Sequence, residues 1–523
     1  MTIRVACIGG GPGGLFFSAL IKQALPTAEV VLFERNQASD AFGFGVVFSD
    51  ATLRRIDEAD PVLRDGLRDF GTHWDAIEVW LKGDKTRFGG NGMAAIHRKT
   101  LLGLLQKRAA DVGVDMRFGE QVSTADLGDF DLVVGADGAN SATRELLDSD
   151  SLGHEVETAT AKFIWFGTTY KFAGLTFVHR QNEHGNFAAH AYPISDDLST
   201  FIVEADEATW RRAGLDDFDT TQSPGVSDLK TQAYLEELFS ADIDGHPLVA
   251  NNSRWANFRT RATTRTWHKG NVVLLGDAVH TAHFSVGSGT KMAMEDAVSL
   301  AREVAATPED FAGAFLRYES ERMPQVARIQ DSARPSLSWW EHFGRYYTAF
   351  DPLQFTFHFF SRSISIEKIR QRDPDLVAAT EAAWHSVHQA APLASPFTAP
   401  NGTTFTTRNL SLIETDGSIS GITDGVVTLR ISADGGTDGH AMLLTAPDSE
   451  DSLPEVVNHL PSAPTTVVIS GGTPLTRQLL SEEARLAGGH RTVLVVSAET
   501  DDATTLILSG RADAVVSLGE TDA

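Results

Sequence analysis

The chain has 523 residues, enough for two or three domains that each bury a core, and its 42% apolar and 22% charged residues are ordinary for a globular protein. Its formal net charge of −26 repels nucleic acid and anionic membrane surfaces, which argues against both as partners. The single cysteine, Cys7, excludes internal disulfides, a dithiol redox pair and thiolate metal sites.

The N-terminal residues 1–4 lead straight into a predicted strand, without the basic and apolar regions of a secretory leader. No later apolar run approaches the ~20 residues that a membrane-spanning helix needs. We therefore expect a cytoplasmic enzyme without a membrane partner, and the sequence is compatible with a monomer or a homodimer.

The first predicted elements are a strand, a helix and a second strand. Residues 3–9 (IRVACIG) are rich in β-branched side chains and predict a buried strand. Apolar residues at helical spacing follow until Pro26 ends the helix, and residues 29–33 (EVVLF) predict the next strand. This order is typical of the start of a nucleotide-binding α/β domain.

A glycine-rich turn joins the first strand to the helix. Gly9, Gly11 and Gly14 form a G-x-G-x-x-G pattern, which lets a pyrophosphate approach the backbone at the positive end of a helix. Glu34 follows twenty residues after the last glycine, where a carboxylate accepts hydrogen bonds from an adenosine ribose. Glycine-rich turns are common after strands, but the whole arrangement predicts a dinucleotide site, for either FAD or NAD.

Two later segments each consist of a buried strand that ends in a polar turn. Residues 131–138 (DLVVGADG) precede the start of a helix. Residues 271–275 (NVVLL) precede Gly276 and Asp277, then a glycine-rich loop and a long helix. An aspartate in such a turn more often caps a helix or a turn than contacts a cofactor. The glycine-rich loop that follows Asp277 nevertheless favours a cofactor contact for this residue.

Together, these three segments resemble the signatures of the group A flavoprotein monooxygenases, relatives of the para-hydroxybenzoate hydroxylases. The resemblance implies an α/β protein with a Rossmann-like FAD-binding domain, an inserted antiparallel-sheet substrate domain and a small C-terminal α/β domain. It also implies bound FAD, with NADH or NADPH and O2 as co-substrates. The pattern alone does not choose between the two nicotinamides.

The resemblance also assigns cofactor contacts. A helix N-terminus at the flavin N1 edge would stabilise the negative charge of the reduced ring. The implied contacts are Gly9, Gly11 and Gly14 at the pyrophosphate, Glu34 at the adenosine ribose, Arg98 at the flavin, Asp137 near the pyrophosphate and the nicotinamide path, Asp277 at the ribityl chain, and Gly287 and Gly289 at the flavin N1 edge, completed by Arg35, Val47, Val122 and Gly276.

Three stretches resemble more specifically the salicylyl-CoA 5-hydroxylase and 2-aminobenzoyl-CoA monooxygenase family. They are residues 42–53 (FGFGVVFSDATL), 177–192 (FVHRQNEHGNFAAHAY) and 280–296 (HTAHFSVGSGTKMAMED). After the G-D-A-x-H pattern, this sequence has His283 and Phe284 where the wider group has a proline. That departure matches the aryl-CoA family.

The implied reaction is hydroxylation of an aromatic acyl-CoA through a flavin C4a-hydroperoxide, with no metal. In salicylyl-CoA the ring hydroxyl supplies electrons and the thioester withdraws them, so the carbon para to the hydroxyl, C5, reacts and gentisyl-CoA forms. Alternative substrates are 2-aminobenzoyl-CoA or a free or carrier-bound aromatic. An alternative of another class is a non-catalytic flavin-binding sensor or scaffold.

The substrate contacts are predicted from residue type. Arg259, Arg261 and Arg265 belong to a run of four arginines within twelve residues and suit the phosphates of CoA, although solvated or salt-bridged arginines are the alternative. His283 and Phe284 are expected beside the flavin and the substrate ring. The nearby histidines suggest a metal, but their loop offers no third ligand, so we expect none.

The predicted domains are partly discontinuous. Between the cofactor segments, apolar and polar residues alternate as in a half-buried antiparallel sheet. The expected division is a FAD-binding domain at 1–70, 95–155 and 265–345, a substrate domain at 71–94 and 156–264, a helical segment and linker at 346–407, and a small α/β domain at 408–523.

The C-terminal residues 408–523 contain short strands that alternate with helical or acidic stretches. Their start and end weakly resemble the flavin-barrel reductase domain of the aminobenzoyl-CoA enzyme, but about 120 residues are too few for a barrel of ~250. We interpret the segment as a shortened remnant without its own FMN. Its shortness favours hydroxylation alone, and therefore salicylyl-CoA over 2-aminobenzoyl-CoA.

Overall fold

The protein is represented by a computed structural model that describes residues 2–41, 43–49, 54, 56, 58–219, 221–223, 225–284, 287, 289–432, 439–497 and 502–518. Residues 42, 50–53, 285, 286 and 288 of the family-like stretches lie outside the described residues. The chain divides into two compact units, Met1–Gly83 with Gly90–Gly344 and Asp84–Gly89 with Arg345–Ala523. The predicted domain boundaries, including the FAD-binding and substrate domains, stay predictions.

Both units contain strands as well as helices. In chain order they are β1 Arg4–Ile8, β2 Glu29–Glu34, β3 Gly45–Ser49, β4 Thr72–Trp74, β5 Ile77–Leu81, β6 Asp84–Phe88, β7 Met93–His97, β8 Asp115–Phe118, β9 Leu132–Gly135, β10 His154–Thr168, β11 Leu175–Asn182, β12 Gly185–Pro193, β13 Ser199–Ala205, β14 Leu248–Ala250, β15 Ala256–Thr263, β16 His268–Lys269, β17 Val272–Leu274, β18 Phe397–Thr398, β19 Thr404–Phe405, β20 Asn409–Thr415, β21 Ser418–Thr423, β22 Thr428–Ser432, β23 Ala441–Thr445, β24 Thr466–Ser470, β25 Arg491–Ser497 and β26 Ala514–Leu518.

The helices lie between these strands, and a run of them from Gly289 to His388 separates β17 from β18. In chain order they are α1 Pro12–Ala24, α2 Pro61–Phe70, α3 Arg98–Val112, α4 Ala142–Leu146, α5 Ser149–Leu152, α6 Glu207–Arg212, α7 Leu229–Leu238, α8 Gly289–Ala306, α9 Phe311–Ala349, α10 Pro352–Phe360, α11 Ile366–Arg372, α12 Pro374–His388, α13 Leu453–Val457, α14 Pro474–Leu486 and α15 Ala503–Leu508. Among the described residues, no helix is long and apolar enough to cross a membrane.

A mainly parallel sheet forms one half of the first unit. Its strand order is β16-β17-β9-β1-β2-β8, and only β16 and β17 pair antiparallel. Both faces are buried, as the near-zero exposure of Val5, Ala6 and Val133 shows. The carboxyl ends of parallel strands meet at one edge, so the turns after β1, β9 and β17 are brought together there.

An antiparallel sheet forms the other half, which confirms the predicted inserted sheet. Its order in this unit is β14-β10-β13-β12-β11-β5, with β15 beside β10 and with β5 and β11 as the parallel pair. One face packs Phe166, Phe201 and Val203 against Leu235 and Phe239, at the end of α7. Because side chains alternate along a strand, the residues between these point to the opposite face of the sheet, here called the free face. That face can contribute side chains to a site.

The second unit contains a closed barrel of seven strands, β20 to β26, in sequence order. β20 and β22–β26 are parallel, and β21 runs antiparallel between β20 and β22. Val467 and Ile469 pack with the helical residues Leu480 and Leu506, so the alternate residue Val468 faces the barrel interior.

The small C-terminal α/β domain is therefore confirmed, but its closed barrel was not expected from its length. A full eight-fold barrel needs about 250 residues because a helix follows every strand. Here β21 replaces one helical crossover, and few helices join the remaining strands between Asn409 and Leu518. Shorter connections let the sheet close with far fewer residues.

Candidate functional site

The turn between β1 and α1 offers backbone N–H groups to an anion. α1 begins at Pro12 after the N-cap Gly11, and no side chain caps it. A Cβ at Gly11 would meet no atom within 4 Å, so the turn opens onto free space. Gly9, by contrast, has a φ of +113° and its Cβ would lie 2.3 Å from the Ala136 carbonyl oxygen, so only glycine fits there.

Glu34 lies at the end of β2 and is fixed beside this turn. Its carboxylate accepts hydrogen bonds from the Gly10 backbone N–H at 2.7 Å and from the Asn36 backbone and side-chain nitrogens at 2.8 and 2.6 Å. A carboxylate can accept about four hydrogen bonds, so Glu34 retains the capacity to accept one from a ribose hydroxyl.

A cavity of about 260 Å³ runs from this turn along the edge of the parallel sheet. The uncapped helix, the open space at Gly11 and the fixed carboxylate fit the adenosine diphosphate half of FAD. The site residues expected from the sequence that line this cavity are Gly9, Gly11, Glu34, Arg35, Arg98, Val122 and Asp137.

Asp137 also has a local structural task. Its carboxylate accepts hydrogen bonds from Ser141 Oγ at 2.5 Å and from the backbone N–H and hydroxyl of Thr143, both at 3.0 Å. Ser141 is in turn the N-cap of α4. The aspartate therefore orders the start of α4 while it lines the cavity.

Asp277 and Arg98 carry opposite charges at the same edge of the parallel sheet. Asp277 lies in the 3-10 turn Gly276–Ala278, and Arg98 is the first residue of α3. Asp277 is exposed at the surface, yet desolvation by the surrounding protein atoms raises its pKa. The charges of His280, Arg98 and Arg261 oppose this shift. Burial lowers the pKa of Arg98, and the nearby Asp277 opposes that shift.

The glycine-rich loop comes close to β3 before α8 begins. Gly287 has a φ of +62°, and a Cβ there would lie 3.9 Å from the Val47 Cβ. Gly289 is the first residue of α8. Val47, Gly287 and the start of α8 thus form one wall, where the sequence predicts the flavin edge.

A buried ionic network, which the sequence analysis missed, holds the Gly276–Ala278 turn. Asp296 of α8 accepts hydrogen bonds from the Gly276 N–H at 3.0 Å, from His280 Nε2 at 2.6 Å and from Arg322 Nε at 2.8 Å. Burial raises the pKa of Asp296, but His280 and Arg322 outweigh it and lower the pKa to about 2. The network positions the backbone that carries Asp277.

On the free face of the antiparallel sheet, a carboxylate lies between two imidazoles. Glu204 Oε1 is 2.7 Å from His190 Nε2, and Glu204 Oε2 is 3.7 Å from His283 Nε2. His283 was predicted from the sequence, whereas Glu204 was not. The available signal was a single acidic residue within the otherwise apolar strand FIVEA.

Aromatic rings enclose these groups. The Phe284 ring lies 4.9 Å from that of Phe163 and 5.6 Å from His190, and Trp340 of α9 lies 4.2 Å from His190, measured between ring centroids. Burial, with a smaller effect of His190, lowers the pKa of His179 to about 3, so His179 is neutral at ordinary pH. The arrangement suits an aromatic ring that must be kept from water.

The three arginines expected to meet CoA phosphates differ in their exposure and contacts. Arg261 is buried, and its guanidinium donates to Asn140 Oδ1 at 3.1 Å. Arg265 is exposed and donates to the Asp150 carbonyl oxygen at 3.3 Å, while Arg259 is exposed on β15. Within the described part of the chain, no group of three or more His, Cys, Asp or Glu side chains could hold a metal ion.

Comparisons with known proteins point the same way as this geometry. The FAD binding domain family matches residues 2–333. The chain is 55% identical over 519 residues to salicyloyl-CoA 5-hydroxylase of a Streptomyces species, covering 98% of this chain and 99% of that protein. It is 31% identical over 351 residues to protodeoxyviolaceinate monooxygenase of Chromobacterium violaceum, covering 65% and 89%.

Among solved structures, a variant of 2-methyl-3-hydroxypyridine-5-carboxylic acid oxygenase is similar with a TM-score of 0.53 and 20% identity. The match covers 70% of this chain and 99% of that one. At this identity the likeness shows the fold alone.

Proposed function

Because this chain belongs to the FAD binding domain family of flavoprotein monooxygenases, we propose that it hydroxylates an aromatic acyl-CoA, with salicylyl-CoA as substrate and C5 as the reacting carbon. The product is then gentisyl-CoA. The observation that carries this proposal is the 55% identity to salicyloyl-CoA 5-hydroxylase, because it extends over 98% of this chain and is not confined to the cofactor half.

FAD, when bound and reduced by NADH or NADPH, supplies the chemistry that transfers one oxygen atom of O2 to the ring. The chain's own residues bind and orient. Gly11 and the start of α1 would hold the diphosphate, and Glu34 would accept a hydrogen bond from a ribose hydroxyl. Arg98 and Asp277 align the rest of the cofactor.

The ring of the substrate lies against Phe284 on the free face of the antiparallel sheet. Phe163 and Phe258, whose centroids lie 4.9 and 6.1 Å from that of Phe284, complete an apolar wall that excludes water. The exposed guanidinium groups of Arg259 and Arg265 are free of carboxylate partners in the contacts described and meet the CoA phosphates.

Substrate selection tests this assignment. With purified holoenzyme, we expect salicylyl-CoA to stimulate oxidation of NADH or NADPH and to yield a hydroxylated thioester, whereas free salicylate does neither. The physical reason is that the CoA moiety supplies the binding energy that positions the ring. Stimulation and product formation with free salicylate alone would refute the CoA assignment and favour a free aromatic acid as substrate.

A further inference from the structure

The two oxygens of the Glu204 carboxylate are divided between two histidines. Oε1 is within hydrogen-bond distance of His190 Nε2, at 2.7 Å, and Oε2 lies 3.7 Å from His283 Nε2. All three residues are at most 3% exposed. Burying a carboxylate away from water is unfavourable unless neighbouring groups pair with it. Buried ionisable groups with a specific charge partner are concentrated at functional sites.

This cluster lies on the face of the sheet that also reaches the expected flavin position. Side chains alternate along β12, so His190 shares a face with Tyr192, two residues away. The Tyr192 hydroxyl donates to the Gly45 carbonyl oxygen at 3.4 Å, which places this face of β12 beside β3. His283 reaches the same face from the loop after the Asp277 turn, so the cluster borders the space between cofactor and sheet.

We propose that Glu204, His190 and His283 form a proton-transfer unit for the ring hydroxyl of the substrate, an inference that rests on the proposed function. His283 is the catalytic residue and accepts the phenolic proton on the imidazole nitrogen that does not face Glu204. The O–H bond breaks and its electron pair stays on oxygen, which raises the electron density at the para carbon.

Glu204 and His190 are positioning residues in this unit. A neutral His283 with its Nε2 proton directed towards Glu204 keeps Nδ1 as the proton acceptor. Once His283 is charged, the attraction to Glu204 stabilises the imidazolium. The other carboxylate oxygen, Oε1, is paired with His190 Nε2 at 2.7 Å.

The ionisable groups that the described contacts place at this cluster come from three strands. β12 contributes His190, β13 contributes Glu204, and β11 contributes His179, which stays neutral. The aromatic neighbours are Phe258 of β15 and Phe284 at His283, and Trp340 of α9 at His190. The pH dependence of the step therefore belongs to the Glu204 unit and to the substrate hydroxyl.

The test compares Glu204→Gln with Glu319→Gln in the holoenzyme. Glu319 is a matched control, because it is also buried and its carboxylate also lies 2.7 Å from a histidine nitrogen, His268 Nδ1. This pair lies beside the parallel sheet, away from the Glu204 cluster. At neutral pH we expect Glu204→Gln to lower kcat with salicylyl-CoA by about 10²- to 10³-fold. Activity should recover as pH rises and the phenol ionises without a base, and Glu319→Gln should keep the wild-type pH profile.

Binding spectra separate a chemical role from a structural one. Salicylyl-CoA should show a phenolate absorption band on binding to the oxidised wild-type enzyme, and that band should be lost in Glu204→Gln at neutral pH. Benzoyl-CoA, which has no ring hydroxyl, should bind both proteins equally. If Glu204→Gln does not fold with FAD, His283→Gln carries the same expectations.

The outcomes distinguish the two proposals. A wild-type kcat and pH profile in Glu204→Gln, or an equal loss of benzoyl-CoA binding, would overturn the proton-transfer unit while leaving the proposed function intact. Failure of the wild-type enzyme to make any product from salicylyl-CoA would overturn the proposed function, and the assigned role of the unit with it.

Discussion

Gly11→Val is expected to produce a folded protein that no longer retains FAD. A Cβ at this position would meet no protein atom within 4 Å, and the backbone angles of Gly11, φ −74° and ψ 176°, suit any residue. The added methyl groups would instead occupy the space at the start of α1, where the diphosphate must approach the N–H groups. We expect the Kd for FAD to rise at least about 100-fold, or about 2.7 kcal/mol.

The measurement is titration of the deflavinated variant with FAD, followed by flavin fluorescence, together with its thermal unfolding curve. Gly103→Val is the matched control, because a Cβ at Gly103 also meets nothing within 4 Å but lies on the exposed side of α3. Normal FAD affinity in Gly11→Val would place the diphosphate elsewhere and contradict the assigned cofactor site.

Asp296→Ala is expected to lower the free energy of unfolding by about 3–5 kcal/mol, because it leaves the buried Arg322 and His280 without their shared carboxylate. Urea unfolding at saturating FAD measures the loss. The comparison is Asp111→Ala, which removes an exposed ion pair with Lys107 and should cost less than about 1 kcal/mol. Equal effects of the two substitutions would show that the network does not stabilise the first unit.

The contribution of Asp296 also depends on pH in a defined direction. Its pKa is about 2 in the folded protein and about 3.9 for an unfolded aspartate, so its stabilisation is fully present above about pH 4. It is lost progressively as pH falls from 4 towards 2. The stability difference between the wild type and Asp296→Asn should therefore shrink over that interval, and a difference that grows on acidification would refute this account.

The fold around the cofactor could be predicted from the sequence because short, contiguous segments specify it. The glycines between β1 and α1 must sit at fixed spacing for a tight turn, and the turns of Asp137 and Asp277 each follow a short buried strand. Parallel strands then bring the three turns to one edge without further information. The predicted FAD-binding fold and the inserted antiparallel sheet are confirmed for this reason.

The features that were missed depend on contacts between distant segments. Glu204 meets His283 across 79 positions of sequence, and Asp296 meets Arg322 on another helix. No local pattern marks either pair, apart from one acidic residue in an apolar strand. The closed barrel was missed because chain length limits the number of helical crossovers but not the closure of a sheet.

The central claim is that the chain transfers one oxygen atom from O2 to the ring of an aryl-CoA. Mass analysis of the product formed from salicylyl-CoA, reduced nicotinamide and isotopically labelled O2 by the FAD-loaded enzyme tests it most directly. The account predicts an acyl-CoA heavier by one labelled oxygen atom, located on the ring para to the hydroxyl. An unchanged thioester, or label found only in water or peroxide, would contradict it.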